Sequence, residues 1–183
     1  MPHSLPMRTK ILLVIAAICA LAPRLEAQWL AQSSATDAEF RGLSVVSPTV
    51  VWASGTKGRF ARTTAGGTTW KVDTVPGATN LDFRDVQALN EKTAWLMSAG
   101  EAERGLAKIF MTNDGGTHWE LVYSTDLKGA FFDAISFWDA QHGIAISDPV
   151  DGRFVLLTTD DGGKSWTRVA PEGIPPALTG GAM

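Results

Sequence analysis

Few side chains in this sequence can do chemistry, and their spacing limits what they can do. Tyr123 is the only tyrosine and Cys19 the only cysteine. His118 and His142 lie 24 residues apart, both in turn-like sequence, and read as solvated turn residues rather than ligands. Asp148, Asp151, Asp160 and Asp161 follow no known calcium-loop spacing and read as turn acids. There is no G-x-S-x-G elbow, no HExxH, no cysteine pair and no glycine-rich phosphate loop opening a helix. No catalytic residue, no metal site and no cofactor is therefore expected. Two arginines stand out by position: Arg41 and Arg84 each follow a phenylalanine at the start of an apolar run. A guanidinium fork makes paired bonds to carboxylates, so binding is the chemistry they offer.

The elements that would carry these residues come from a repeat. TTAGGTTW (63–70), TNDGGTHW (112–119) and TDDGGKSW (159–166) are versions of one segment, with their tryptophans 49 and then 47 residues apart. A period in this range marks a repeat architecture. The units open Phe40-Arg41-Gly42-Leu43, Phe83-Arg84-Asp85-Val86 and Phe132-Asp133-Ala134-Ile135. Each then has a first apolar run (LSVVS, VQALN, ISFWD), a second (VVWASG, AWLMSAG, GIAISD) and a third (RFART, AKIFMT, RFVLLT). The Gly-Gly turn and a fourth run led by Trp complete it (WKVDTV, WELVYS, WTRVAP). Trp52, Trp95 and Ile144 hold equivalent places. Four short runs rich in β-branched and aromatic residues, broken by Gly, Asn, Asp and Pro, read as four strands. Four-stranded units of about 45 residues are β-propeller blades. The fold class is all-β: about three antiparallel blades (about 40–75, 83–125 and 132–170) in an incomplete ring, within a partial propeller over 28–170. A β-sandwich is the alternative, and the regular period argues against it.

The turn has its own physical logic. A carboxylate at its third position can accept bonds from backbone N–H groups in the same turn. The glycines permit positive φ where the chain reverses, and the Trp can bury a large surface between neighbouring sheets. This assigns structural roles to Thr63, Gly67 and Trp70, to Thr112, Asp114, Gly116 and Trp119, and to Thr159, Asp161, Gly163 and Trp166. The first copy has Ala65 in place of the acid, and the second has His118 where Ser or Thr is usual. The stretch Glu101-Ala102-Glu103-Arg104 reads as a solvated hairpin inserted between the second and third strands of the middle unit.

The pattern S/T-x-D-x-G-x-S/T-W resembles the Asp-box of BNR repeats. More narrowly, the chain over about 28–170 resembles the photosystem II stability/assembly factor family and its bacterial relatives. FRGLSVVSPTVVWASG, FRDVQALNEKTAWLMSAG and the Gly-Gly-x-x-Trp turns carry that resemblance. It implies an exported, non-catalytic scaffold that binds a protein or peptide through an arginine-rich patch, to which Arg41 and Arg84 would belong. Asp133 breaks the pattern in the third unit. A second reading stands beside it, in which both arginines merely tie strand ends together. Bacterial relatives without photosystems are common, so no photosystem substrate is assumed. Sialidases share the Asp-box and propeller, and a BNR glycosidase fragment lacking its catalytic blades is the alternative function. It would need an arginine triad, a tyrosine nucleophile with a glutamate, and an aspartic acid/base. Tyr123 falls in an outer strand (WELVYS), the wrong layer for a central pocket.

The ends raise separate expectations. Residues 1–27 read as a signal peptide: Arg8 and Lys10 precede an uncharged apolar run over 11–22, and an uncleaved anchor is the other reading. A periplasmic or extracellular location follows, without stable membrane insertion after cleavage. The mature chain would hold no cysteine and so no disulfide. It would carry 13 basic and 18 acidic residues, a formal charge of −5, which points away from nucleic acid. Residues 29–34 read as an orphan fourth strand, and 171–183 as an irregular tail. Three blades and a strand do not close a ring, since propellers usually have four to eight blades. The sequence therefore reads as a truncated product, a gene fragment or half of an assembly. Self-association through open blade edges, such as a homodimer of six blades, follows from the last of these.

Overall fold

Four-strand meanders form wherever the sequence alternates short β-branched and aromatic runs with glycine-bearing turns. The computed structural model describes residues 30–178. The expected signal peptide over 1–27 with Cys19, the next two residues including Trp29, and residues 179–183 lie outside the described residues. Every element belongs to the unit that begins at Gln32. The first sheet contains β1 (Phe40–Val45), β2 (Val51–Gly55), β3 (Arg59–Thr63) and β4 (Lys71–Thr74). The second contains β5 (Asp82–Ala88), β6 (Ala94–Ala99), β7 (Lys108–Thr112) and β8 (Glu120–Ser124). The third contains β9 (Phe132–Phe137), β10 (Gly143–Val150), β11 (Arg153–Thr159) and β12 (Thr167–Arg168). Strands in each sheet pair in sequence order and antiparallel. These are three blades of a β-propeller.

The core lies between blades, not within them. β1 packs beside β5 and β5 beside β9, so the first strand of each blade forms an inner row. Between the first two blades Trp52 and Phe60 meet Phe83, Val86, Ala88, Leu96 and Phe110. Between the second and third, Trp95, Met97 and Ile109 meet Phe132, Ile135, Ala145 and Leu157. Middle strands are therefore apolar on both faces: Trp95 and Leu96 are adjacent, both fully buried, and serve different junctions. Outer strands such as β4 bury little and carry polar residues.

Four local expectations change. Residues 30–34 form no strand, although the reading of 29–34 placed one there. A strand needs a ladder partner, and β4, β8 and β12 already occupy the fourth position of each described sheet. The fourth strands begin one residue after each Trp, which closes the turn; the rings of Trp119 and Trp166 pack at the first and second junctions. The Glu101–Arg104 stretch is not a solvated hairpin. Ala102–Arg104 is a 3-10 turn with Ala102 fully buried in the second junction. The tail is not wholly irregular: Pro171–Gly173 form a 3-10 turn and Pro176 bridges to Arg153. No helix among the described residues is long and apolar enough to cross a membrane.

Candidate functional site

The inner strand of every blade is bulged at the same place. Pairing passes from Phe40 to Gly42, from Phe83 to Asp85, and from Phe132 to Ala134. The skipped residues are Arg41, Arg84 and Asp133. A bulge leaves one residue out of the ladder and re-aims its side chain. The repeat thus places three charged side chains in one row along the inner strands, around a cleft of about 560 Å³ lined by Phe40, Arg41, Arg84, Asp85 and Asp133.

Both arginines reach a carboxylate on the next blade. Arg41 donates from Nε to Asp82 Oδ1 at 3.1 Å and from Nη2 to Glu39 Oε2 at 3.4 Å. Arg84 places Nη2 3.3 Å from Asp133 Oδ1, and its guanidinium lies 5.7 Å from the centre of the Phe131 ring. The arginine side chains are 43% and 42% exposed, whereas that of Asp133 is 7% exposed. Blade-tying and binding are compatible here, because a guanidinium has five N–H donors and each pair uses only part of the fork. Burial raises the Asp133 carboxyl above its usual range. The nearby Asp148 carboxylate adds to this, and Arg84 opposes it. One oxygen of Asp133 and one of Asp148 are buried without a hydrogen-bond partner.

Asp85 follows the bulged Arg84 and clips the second blade to the third. Its Oδ1 accepts from Val86 N at 2.8 Å and its Oδ2 from Ile135 N at 2.9 Å. Burial raises its pKa, against the pull of those two N–H groups. The first junction uses Ser44 Oγ instead, which accepts from Ala88 N at 3.0 Å. Asp82, Asp85 and the partnership of Asp133 with Arg84 were missed in the sequence. The available signal was a charged residue after the leading phenylalanine in all three units.

The Gly-Gly turns sit apart from this row. Thr112 Oγ1 donates to Asp114 Oδ1 at 3.0 Å and accepts from Gly116 N at 3.0 Å. Asp114 Oδ1 also accepts from Thr117 N and His118 N, at 3.0 and 2.9 Å. The third turn repeats this: Thr159 Oγ1 serves Asp161 and Gly163 N, and Asp161 Oδ1 accepts from Lys164 N and Ser165 N. Ser165 Oγ donates to Asp161 Oδ2 at 2.6 Å, and His118 Nδ1 lies 2.6 Å from the same oxygen of Asp114. The histidine therefore takes the serine's place in the turn. These bonds hold the Asp161 carboxyl down at about 2, the Ser165 hydroxyl contributing most. Asp114 falls well below the usual carboxylate range, the His118 N–H contributing most. In the first turn Thr63 Oγ1 still accepts from Gly67 N at 3.0 Å, without an acid. Trp119 lies 5.1 Å from Phe60 and Trp166 lies 5.7 Å from Phe137, centre to centre. Trp70 instead donates to Gln32 Oε1 at 3.0 Å. Tyr123 lies in β8, facing the second junction beside Phe132.

No protein-family model and no curated protein matches this chain. Solved structures do. YCF48 bound to D1 peptide is similar with a TM-score of 0.63 and 21% identity, over 83% of this chain and 48% of that one. YCF48 from Cyanidioschyzon merolae is similar at 0.57 and 19% identity, over 79% and 44%. The GH74 enzyme of Niastella koreensis reaches 0.49 and 17% identity, over 72% and 18%, too distant to carry an argument. The chain spans about half the length of the YCF48 structures. At these identities the likeness establishes the β-propeller fold.

Proposed function

We propose that this chain is an exported, non-catalytic scaffold that binds a protein or peptide, in the manner of an assembly factor. The observation that carries the reading is the row of bulged residues: two half-exposed guanidinia face one open cleft. Such a pair suits a peptide carboxylate, from an acidic side chain or a chain end. A YCF48 propeller of similar fold is described in complex with a D1 peptide, which supports peptide binding as the use of this architecture. The leader-like residues 1–27 support export. The acids around the arginines serve the cleft by holding each fork in place, and partner carboxylates would take the remaining donors. Asp133, at the position of a third arginine, confines the binding charge to the first two blades.

Fluorescence anisotropy with a panel of acidic peptides, each with a free C-terminal carboxylate or an amide, tests this. Binding should prefer acidic or free-carboxylate peptides and weaken at least tenfold in Arg41→Ala with Arg84→Ala. Equal affinity of the native chain and the double variant would remove the arginines from the site.

A further inference from the structure

Each blade junction is built from the same two halves, and the molecule displays one unused copy of each. The first half is the inner-strand face of the later blade. Phe83, Val86 and Ala88 are 0, 3 and 6% exposed against the first blade, and Phe132 and Ile135 are 0 and 4% exposed against the second. At the same repeat positions of the first blade, Phe40, Leu43 and Val45 are 40, 65 and 66% exposed. The second half is the middle-strand face of the earlier blade, where Trp95, Met97 and Ile109 are fully buried. By strand register their counterparts in the third blade are Ile144, Ile146 and Leu156, all only half-buried.

We propose that two copies of this chain join head to tail, the first-blade face of each seated on the third-blade face of the other. Two such junctions close a ring of six blades, within the usual range of four to eight. The contact is heterologous and continues the interface that the chain already makes twice. Charge agrees with it. At the second junction the bulged positions carry opposite charges, Arg84 and Asp133, and they are paired. Between copies the same two positions hold Asp133 and Arg41, again opposite, whereas at the first junction both are arginines and Arg41 pairs with Asp82 instead.

Size agrees as well. The second glycine of the turn lies against Phe60 at the first junction and against Trp95 at the second. On the open face Gln32 lies against Gly67 and accepts from Trp70. The third blade has Ile144 where the others have Trp, so the missing indole volume falls where Gln32 already sits. Face packing of this kind needs no strand from residues 29–34.

The full chain should show a discrete two-copy mass by light scattering and sedimentation across a concentration series. Leu43→Glu with Val45→Glu changes side chains that are exposed in the single copy, so its β-sheet circular dichroism should persist. Its mass should fall to one copy, with the dissociation constant raised at least tenfold. Ile146→Glu should do the same from the other face. Mixing the two variants should restore a weak two-copy species, since one intact junction remains. Four results would overturn the proposal: a one-copy native mass throughout, as when further blades or another protein cover these faces; an open-ended series of sizes, since a non-closing heterologous contact gives filaments; an unchanged two-copy mass in Leu43→Glu with Val45→Glu; or one in Ile146→Glu alone, which would mean that first-blade faces meet each other.

Discussion

The turns at 159–166 and 63–70 share their threonine, two glycines and tryptophan, yet they live in different surroundings. The third turn has an acid that accepts bonds from two backbone N–H groups and a serine hydroxyl. Its Trp166 is buried in the second junction at 8% exposure. The first turn has Ala65 instead, and its Trp70 is only half-buried. Both turns nevertheless keep the threonine-to-glycine bond and positive φ at the second glycine, 84° at Gly67 and 72° at Gly163. The difference separates two jobs. Threonine and glycines shape the turn, whereas the acid tightens it and the neighbouring blade gives the tryptophan its value.

The tryptophans should show the largest contrast. Trp166→Ala removes a buried indole from a packed junction and should cost about 3–5 kcal/mol in urea unfolding. In the single copy, at a concentration that keeps copies apart, Trp70→Ala loses one hydrogen bond and partial burial, and should cost about 1–2 kcal/mol. Equal losses would mean that the turn, not the junction, sets the value of the ring.

The glycines come next. An alanine at either position meets the left-handed backbone penalty of about 1–2 kcal/mol. At Gly163 the added methyl would also press on the indole nitrogen of Trp95 and approach the Phe137 ring, both packed. Gly163→Ala should therefore cost about 3 kcal/mol. At Gly67 the nearest atoms the methyl would meet are those of the Gln32 amide, which in the single copy can swing away. Gly67→Ala should stay near about 1 kcal/mol. A thermal melt of each variant checks the order.

How much of this was legible follows from the range of each interaction. Strands and turns were readable because a leading phenylalanine, alternating runs and Gly-Gly-Trp signals act over a few residues. The inner bulges were not. An extra residue such as Arg84 looks like any strand residue until the partner Ser98-to-Met97 register is known. The ion pairs Arg41–Asp82 and Arg84–Asp133 cross blade junctions, so their partners lie 41 and 49 positions away. Asp85 was silent for the same reason, since its bond to Ile135 spans 50 positions. The strand expected near Gln32 failed because ladder partners are a tertiary matter.

Acid should separate the turns again, with two opposite signs in two windows. Asp161 has a folded pKa of about 2, below its ordinary 3.8. Its stabilisation is full above about pH 4 and is lost as pH falls toward 2. Asp114 adds to that loss. Asp133 and Asp85 are raised, so their ionised forms oppose folding at neutral pH, and that opposition is relieved as pH falls toward 3.8. The melting temperature should thus hold or rise on moderate acidification and drop below pH 4. Asp161→Asn should flatten the lower limb, and a variant as steep as the native chain would rule out the turn as its source.

The smallest effect runs the other way. Ala65→Asp places a carboxylate where the other two turns have one. Thr63 is buried, and its hydroxyl accepts from Ala65 N and Gly67 N, so its proton is available to the new acid. The Thr68 and Thr69 N–H groups occupy the positions that Lys164 and Ser165 use toward Asp161. Thr68 N now donates to Ala65 O at 3.2 Å, a bond the acid would supplement or replace. The net gain should be about 0.5 kcal/mol, because water already solvates this exposed turn. A clearer mark is pH dependence: the variant should gain an additional loss of stability below pH 4, and Asn at the same position should not. If Asp and Asn behave alike, the acid in the other turns acts through shape alone, and the first turn lacks nothing electrostatic for having alanine there.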